Sequence, residues 1–214
     1  RMNYLRIEKK FIFWKKNEEN LKKLLIINGF TQLYQPRKIS SVYLDTLNFD
    51  SARDNINGTN NRKKIRIRWY NNDLEKVYLE EKNKRNFYVW KNILKMNISS
   101  NKDNLLNNLK KSFYKPSNPS SSNYNCNFIL KTNYKRNYWI SNNKKIRATI
   151  DTEINASPAK DMNNVIELPE TILEFKFSPS SEIFFRDFLS QKGLNIRSKK
   201  YSKYIQSFIA LEES

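Results

Sequence analysis

The chain has 214 residues, with 40 lysines and arginines against 21 acids and a net charge of +19. It holds no histidine, one cysteine (Cys126) and three glycines. Those counts exclude His-based triads, His zinc sites, an intramolecular disulfide, multi-cysteine metal clusters and glycine-rich nucleotide loops. The longest purely apolar run, Leu24-Leu25-Ile26-Ile27, is far short of a membrane span, and no leader peptide is expected. A hydrophobic content of 38%, with 14% aromatic residues, is enough for a packed core. The charge calls for an anionic partner: nucleic acid, an acidic membrane surface or a phosphate-rich molecule. The abundance of Asn and Lys weakens an argument from charge alone, because some of those lysines are surface filler.

Tyr4 to Trp14 reads as a strand, with Leu5, Ile7, Phe11 and Phe13 on one face and Arg6, Glu8 and Lys10 on the other. Asn17-Glu18-Glu19 starts a helix with an N-cap candidate and acids in its first turn, and Gly29 stands where it should stop. Ser41 to Thr46 is a short strand. Arg62 to Tyr70 is a stronger one, setting Ile65, Ile67 and Trp69 against Arg66 and Arg68. Asn71-Asn72-Asp73 turns it into a partner strand, Leu74 to Lys84. There Val77 and Leu79 oppose Tyr78, Glu80 and Lys82. Asp103 to Phe113 is a candidate helix. Pro116 to Asn125, rich in Ser, Asn and Pro, is a loop or the remnant of a longer insert. Strands resume at Asn127 to Trp139, Lys144 to Ile154 and Thr171 to Phe177. Helices close the chain at Ser181 to Gln191 and Lys199 to Leu211. There is no internal repeat, and the whole chain is expected to form a single domain.

Five of these strands pair an apolar face with a charged one. The charged faces collect Arg6, Glu8, Lys10, Arg66, Arg68, Glu80, Lys82, Arg147, Asp151, Glu174 and Lys176. A sheet with one solvated side gives such a pattern. So does a closed sheet whose apolar faces lie under helices and whose charged faces line a wet interior. In the second case the cations need polyanions for partners. Phosphate oxygens suit Arg, which grips them in a bidentate way. Scattered carboxylates among those cations suggest a divalent metal shared with phosphate. Trp69 and Trp139 read as core or rim.

Several stretches resemble a known family: Glu8-Lys9-Lys10-Phe11, Val42-Tyr43-Leu44-Asp45-Thr46, Arg66-Ile67-Arg68-Trp69-Tyr70, Glu80-Glu81-Lys82, Tyr134-Lys135-Arg136, Arg147 to Thr152, Leu173-Glu174-Phe175-Lys176 and Ser202-Lys203-Tyr204. In this order they are similar to the polyphosphate polymerase domain of the vacuolar transporter chaperone (VTC) complex. That family belongs to the triphosphate tunnel metalloenzymes, or CYTH-like superfamily. The resemblance spans most of the chain outside residues 92 to 126. It implies an α+β fold, an antiparallel β-barrel tunnel with helices packed outside. It also implies an enzyme that moves the γ-phosphate of ATP onto a growing polyphosphate chain and releases ADP.

By the same resemblance, Lys10, Arg66, Arg68, Lys82, Arg136, Arg147 and Lys203 are catalytic. Lys91, Tyr134, Lys200 and Ser202 bind substrate. Glu174 holds Mn²⁺ or Mg²⁺, with Glu8 and Glu80 as further metal candidates. Lys200 and Lys203, three apart, are expected to share a helix face. Phosphoryl transfer relies on positioning and charge neutralisation, so the lack of histidine is no handicap. Arg6 stands where hydrolases of the superfamily carry the first Glu of a Glu-x-Glu-x-Lys strand, which favours transfer over hydrolysis. Two other readings stay open: a catalytically silent polyphosphate-binding accessory subunit, and a tunnel-type triphosphatase. Other VTC subunits are expected as partners, nucleic acid is not. The family's location is the cytosolic face of a vacuole or acidocalcisome-like membrane.

Overall fold

The computed structural model describes residues 6–14, 17–86, 88–98, 105–114, 125–191 and 197–214. Nine strands and five α-helices lie along the described residues. The strands are β1 (Ile7–Trp14), β2 (Phe30–Asp45), β3 (Asn61–Tyr70), β4 (Asp73–Arg85), β5 (Tyr88–Met96), β6 (Asn127–Ser141), β7 (Ile146–Pro158), β8 (Ile166–Glu167) and β9 (Glu170–Phe177). The helices are α1 (Glu18–Ile27), α2 (Asp50–Ile56), α3 (Leu105–Phe113), α4 (Glu182–Gln191) and α5 (Lys203–Glu212). The hydrogen-bonded order is β1-β9-β7-β6-β2-β3-β4-β5, with β8 on β7. The ladders of β1 with β9, β9 with β7, β2 with β3, β3 with β4 and β4 with β5 are all antiparallel. The architecture is thus the expected α+β class. The chain folds into two compact units: residues 1–37, 134–154 and 168–201 form the first, and 38–133, 155–167 and 202–214 the second.

In the first unit, alternation on β1, β7 and β9 sends Phe11, Ile146, Ala148, Ile150, Leu173, Phe175 and Phe177 into one core. Helices α1 and α4 cover it with Leu21, Leu25, Phe185 and Phe188. Phe175 is fully buried, and its ring centroid lies 5.2 Å from Phe185, 5.6 Å from Phe188 and 5.9 Å from Phe11. Leu21 and Leu25, four apart, give α1 its buried stripe. Asn17 stands at the N-cap position, but its side chain donates back to the Trp14 carbonyl rather than capping the helix. Gly29 ends the helix as expected, with φ 73° and its N–H on the Ile26 carbonyl.

In the second unit, β3 and β4 form the expected hairpin. Asn71 and Asn72 both take positive φ, 49° and 58°, as a two-residue turn of this hand requires. Val42, Leu44, Ile65, Ile67, Trp69, Val77 and Leu79 pack with Leu109 and Phe113 of α3 and with Cys126. Trp69, like Trp139 of the first unit, is a core residue. A separate cluster joins Tyr43 and Leu130 to Ala52 of α2 and to Tyr204 and Ile205 of α5. Its polar centre is Asp45, 2% exposed. The Asp45 carboxylate accepts from the N–H groups of Ser51 and Ala52 in the first turn of α2, and from the Tyr204 hydroxyl at 2.7 Å. It thereby caps a helix whose own N-cap residue is Phe49.

Four expectations are corrected or extended. β2 begins at Phe30, not Ser41, and α2 and β5 lie where no element was expected. The last helix begins at Lys203 rather than Lys199, so Lys200 lies outside it and shares no helix face with Lys203. The Pro116 to Asn125 loop falls almost wholly outside the described residues.

Candidate functional site

Among the described residues, each unit carries a charged cluster on the second face of its strands that contains predicted site residues. In the second unit the cluster is built on β2, β3, β4 and β5. Arg66 and Arg68 lie two apart on β3, opposite Tyr43 and Ser41 of β2 and opposite Glu80 and Tyr78 of β4. This register aims both guanidinium groups at one carboxylate. Arg66 reaches Glu80 Oε2 at 2.6 Å and Arg68 reaches the same oxygen at 3.6 Å. Lys91 of β5 takes the other oxygen at 2.6 Å. Ser41 Oγ accepts from Arg68 Nε at 3.2 Å, and Tyr43 lies at 3.5 Å from Arg66.

Burial pushes the Glu80 carboxyl up, but the three cations outweigh it and bring its pKa down to about 2. Burial also lowers Lys91, against the pull of Glu80. Lys82 is exposed, in register with Lys64 on one side and Lys91 on the other, so three lysines cross the sheet in a row. Lys64 donates to Ser202 Oγ at 2.6 Å, just ahead of Lys203 at the start of α5.

In the first unit the cluster is built on β1, β6, β7 and β9. Glu8 lies directly opposite Lys176, and Lys10 opposite Glu174. On the other flank of β9, Arg147 lies opposite Lys176. The result is a checkerboard of charge. Lys176 Nζ sits 3.0 Å from Glu174 Oε1 and 3.7 Å from Glu8 Oε1. Arg136 makes a bidentate pair with Asp151, at 2.6 and 2.7 Å, and reaches Glu174 at 4.0 Å. Its guanidinium carbon also lies 5.3 Å from the ring centre of Tyr134, a buried residue two positions back. Lys10 donates to the Tyr201 carbonyl at 2.8 Å. Burial again pushes Glu174 up, but Lys176, Lys10 and Arg136 hold it at about 2. Arg147 is exposed, and no ion pair is formed by it among the described residues. Lys200 is exposed as well.

The predicted residues therefore fall into two groups. Arg66, Arg68, Glu80 and Lys91 converge in one unit. Lys10, Arg136, Glu174 and Glu8 gather in the other, with Tyr134 beneath Arg136. Sequence reasoning gave no role to Asp151, Lys176, Ser41 or Tyr43. Asp151 is fully buried and Lys176 bridges two carboxylates. Both stood among the charged-face residues, and only the cross-strand register reveals what each one touches.

The described residues contain no group of three or more His, Cys, Asp or Glu arranged to hold a metal. Both Asp151 oxygens are committed to Arg136. Glu174 and Glu8 face a common ammonium, that of Lys176, at 3.0 and 3.7 Å. Two carboxylates supply only part of a divalent shell, so they fit an Mg²⁺- or Mn²⁺-type ion only if it takes most of its ligands from phosphate and water.

The described strands thus form a largely antiparallel sheet whose second face carries Arg, Lys and Glu. Solved structures share the fold. One described as a putative adenylate cyclase from Vibrio parahaemolyticus has a TM-score of 0.55 and 11% identity, covering 96% of this chain and 99% of that one. A putative adenylyl cyclase from Hippeastrum, described as having a dominant triphosphatase activity, has a TM-score of 0.53 and 12% identity over 95% and 96%. The PH1012 protein from Pyrococcus horikoshii scores 0.51 with 14% identity over 91% and 97%. Comparison with curated protein sequences gives no match. The VTC domain family matches residues 5–212, so the chain belongs to that family.

Proposed function

We propose that this protein is a polyphosphate polymerase. It transfers the γ-phosphate of ATP to the end of an inorganic polyphosphate chain and releases ADP. The observation that carries the reading is the convergence of Arg66, Arg68 and Lys91 on a single carboxylate within a VTC domain. Three cations held that closely are pre-arranged for a tetrahedral oxyanion. In the reaction an oxygen of the chain's terminal phosphate bonds to the γ-phosphorus, and the β–γ bridging P–O bond breaks with its electrons leaving on ADP. A terminal phosphate is already ionised near neutral pH, so no general base is needed, in keeping with a chain that has no histidine.

Arg66, Arg68, Lys82 and Lys91, and separately Lys10, Arg136 and Arg147, bind phosphate oxygens in this reading. Lys200, Ser202 and Lys203 add donors around the start of α5, and Tyr134 backs Arg136. Glu174 would hold the metal, with Glu8 beside it. A divalent ion there supplies charge neutralisation on the phosphate oxygens. ATP and polyphosphate are the ligands, other VTC subunits the partners, and the cytosolic face of a vacuole or acidocalcisome-like membrane the setting. No helix among the described residues is long and apolar enough to cross a membrane.

A triphosphatase is the second reading, favoured by the activity ascribed to the Hippeastrum protein. Incubation with ATP and Mn²⁺, followed by gel electrophoresis, separates the cases. A polymer ladder supports the polymerase. Free phosphate alone supports the triphosphatase, and no reaction the accessory subunit.

A further inference from the structure

We infer that Lys176 is a resident counter-ion occupying a divalent cation site formed by Glu8 and Glu174, and that it sets the affinity of that site by being displaced. The inference rests on the reading of Glu174 as the metal-bearing carboxylate. Its grounds are geometric. Lys176 projects from β9 opposite Glu8 and two residues from Glu174, so its ammonium falls between carboxylates of adjacent strands, at 3.7 and 3.0 Å. A divalent ion held by these two carboxylates would compete with the Lys176 ammonium for them.

Three cations surround Glu174: Lys176, Lys10 and Arg136. Arg136 and Lys10 also act on Glu174, but each is anchored by a second partner as well, Arg136 to Asp151 by two hydrogen bonds and Lys10 to the Tyr201 carbonyl. Lys176 differs in exposure: its side chain is 26% exposed, whereas that of Glu174 is 7%. It therefore has solvent to swing into, on a four-carbon stem with free rotation. Without a metal, Lys176 joins Lys10 and Arg136 in compensating the buried Glu174 charge. With one, the ammonium must leave, and the energy of the lost ion pair is subtracted from metal binding.

The test is Mn²⁺ binding to the whole chain without nucleotide, followed by electron paramagnetic resonance. Lys176→Gln, which can still donate to Glu174, should bind Mn²⁺ at least about tenfold more tightly than wild type. The gain should vanish in Lys176→Gln/Glu174→Gln. Arg147→Gln removes a charge from the next strand without contact to either carboxylate, and should change the affinity much less. Equal or weaker binding by Lys176→Gln overturns the inference, as does an equal gain from Arg147→Gln, which would make the effect general electrostatics. Should Lys176→Gln not fold, the wild-type protein still decides. The Lys176 ammonium signal in ¹⁵N-detected NMR should lose its ion-paired character on adding Mg²⁺, and an unmoved signal at saturation refutes displacement. A wild-type protein that binds Mn²⁺ in this way but makes no polymer would sink the polymerase reading and leave this one standing.

Discussion

Replacing Asp151 by Asn probes the most desolvated ion pair of the first unit. Asp151 is 0% exposed and Arg136 13%, and the two share a bidentate pair at 2.6 and 2.7 Å. Breaking a buried pair from one side costs about 3–5 kcal/mol, because the other charge stays buried without its partner. Glu174, 4.0 Å from Arg136, retains part of the attraction, which places the expected loss near the lower end, about 3 kcal/mol. For a chain of this size that corresponds to a fall in melting temperature of roughly 6–12 °C. Circular dichroism at pH 7 measures it. The double variant Asp151→Leu/Arg136→Met should recover most of the loss, since a matched apolar pair leaves nothing uncompensated. Added tripolyphosphate should stabilise Asp151→Asn more than wild type, because the guanidinium then has no competing carboxylate. An Asp151→Asn protein melting within about 2 °C of wild type, under 1 kcal/mol on the same scale, would refute the claim that this pair is held out of water.

Arg66→Ala should weaken polyphosphate binding by about 1.5–3 kcal/mol, the scale of a hydrogen bond to a charged group, and unchanged calorimetry would remove Arg66 from the site. Glu174→Gln should retain polyphosphate, but polymer synthesis should fall by at least about tenfold, equivalent to roughly 1.4 kcal/mol of barrier; synthesis at the wild-type rate would make Glu174 structural. Glu80 and Glu174 are both depressed from 4.5 to about 2, so the stability they contribute is complete above about pH 5 and is lost as pH falls through 4.5 towards 2. Each is worth up to roughly 3 kcal/mol, and urea titrations should show a shallower acid loss in Glu80→Gln than in wild type. Phe175→Ala should cost about 3–5 kcal/mol, because the ring is surrounded by other rings and leaves a cavity the core cannot close; a loss under 1 kcal/mol on urea unfolding would show that the core collapses around it.

The strands legible in the sequence are those with one face in a core. On β3, Ile65, Ile67 and Trp69 are buried while Arg66 reaches out to Glu80, and the period of two carries both facts. β5 has no such alternation. Tyr88, Val89, Ile93 and Leu94 are all exposed, so neither parity marks an inside face. The first half of β2 is similarly exposed and contains Pro36. Seven-residue α2 is too short for a hydrophobic period and depends on a cap from Asp45, five residues before it. Glu81 marks another limit. It sits on the apolar parity of β4, yet is buried beside Lys63 at 3.5 Å, a pairing only the β3–β4 register creates. For the site, strand alternation marked Lys10, Arg66, Arg68, Lys82 and Arg147, and the family resemblance added Arg136, Lys91, Lys200 and Lys203. Which carboxylate each one meets depends on neighbours far apart in sequence, as with Lys10 and Glu174.

Cys126, packed in the core of the second unit, gives the protein a clock. It is 5% exposed, and burial, with Asp45 nearby, pushes its thiol up to about 11. A thiol reagent needs both access and a thiolate, and the folded state offers neither. As the chain has no other cysteine, every labelling event records an opening of that one core. The rate of modification thus reads the opening free energy of the second unit alone. A phosphate ligand that grips Arg66 and Arg68 should slow this clock, with no enzyme turnover required.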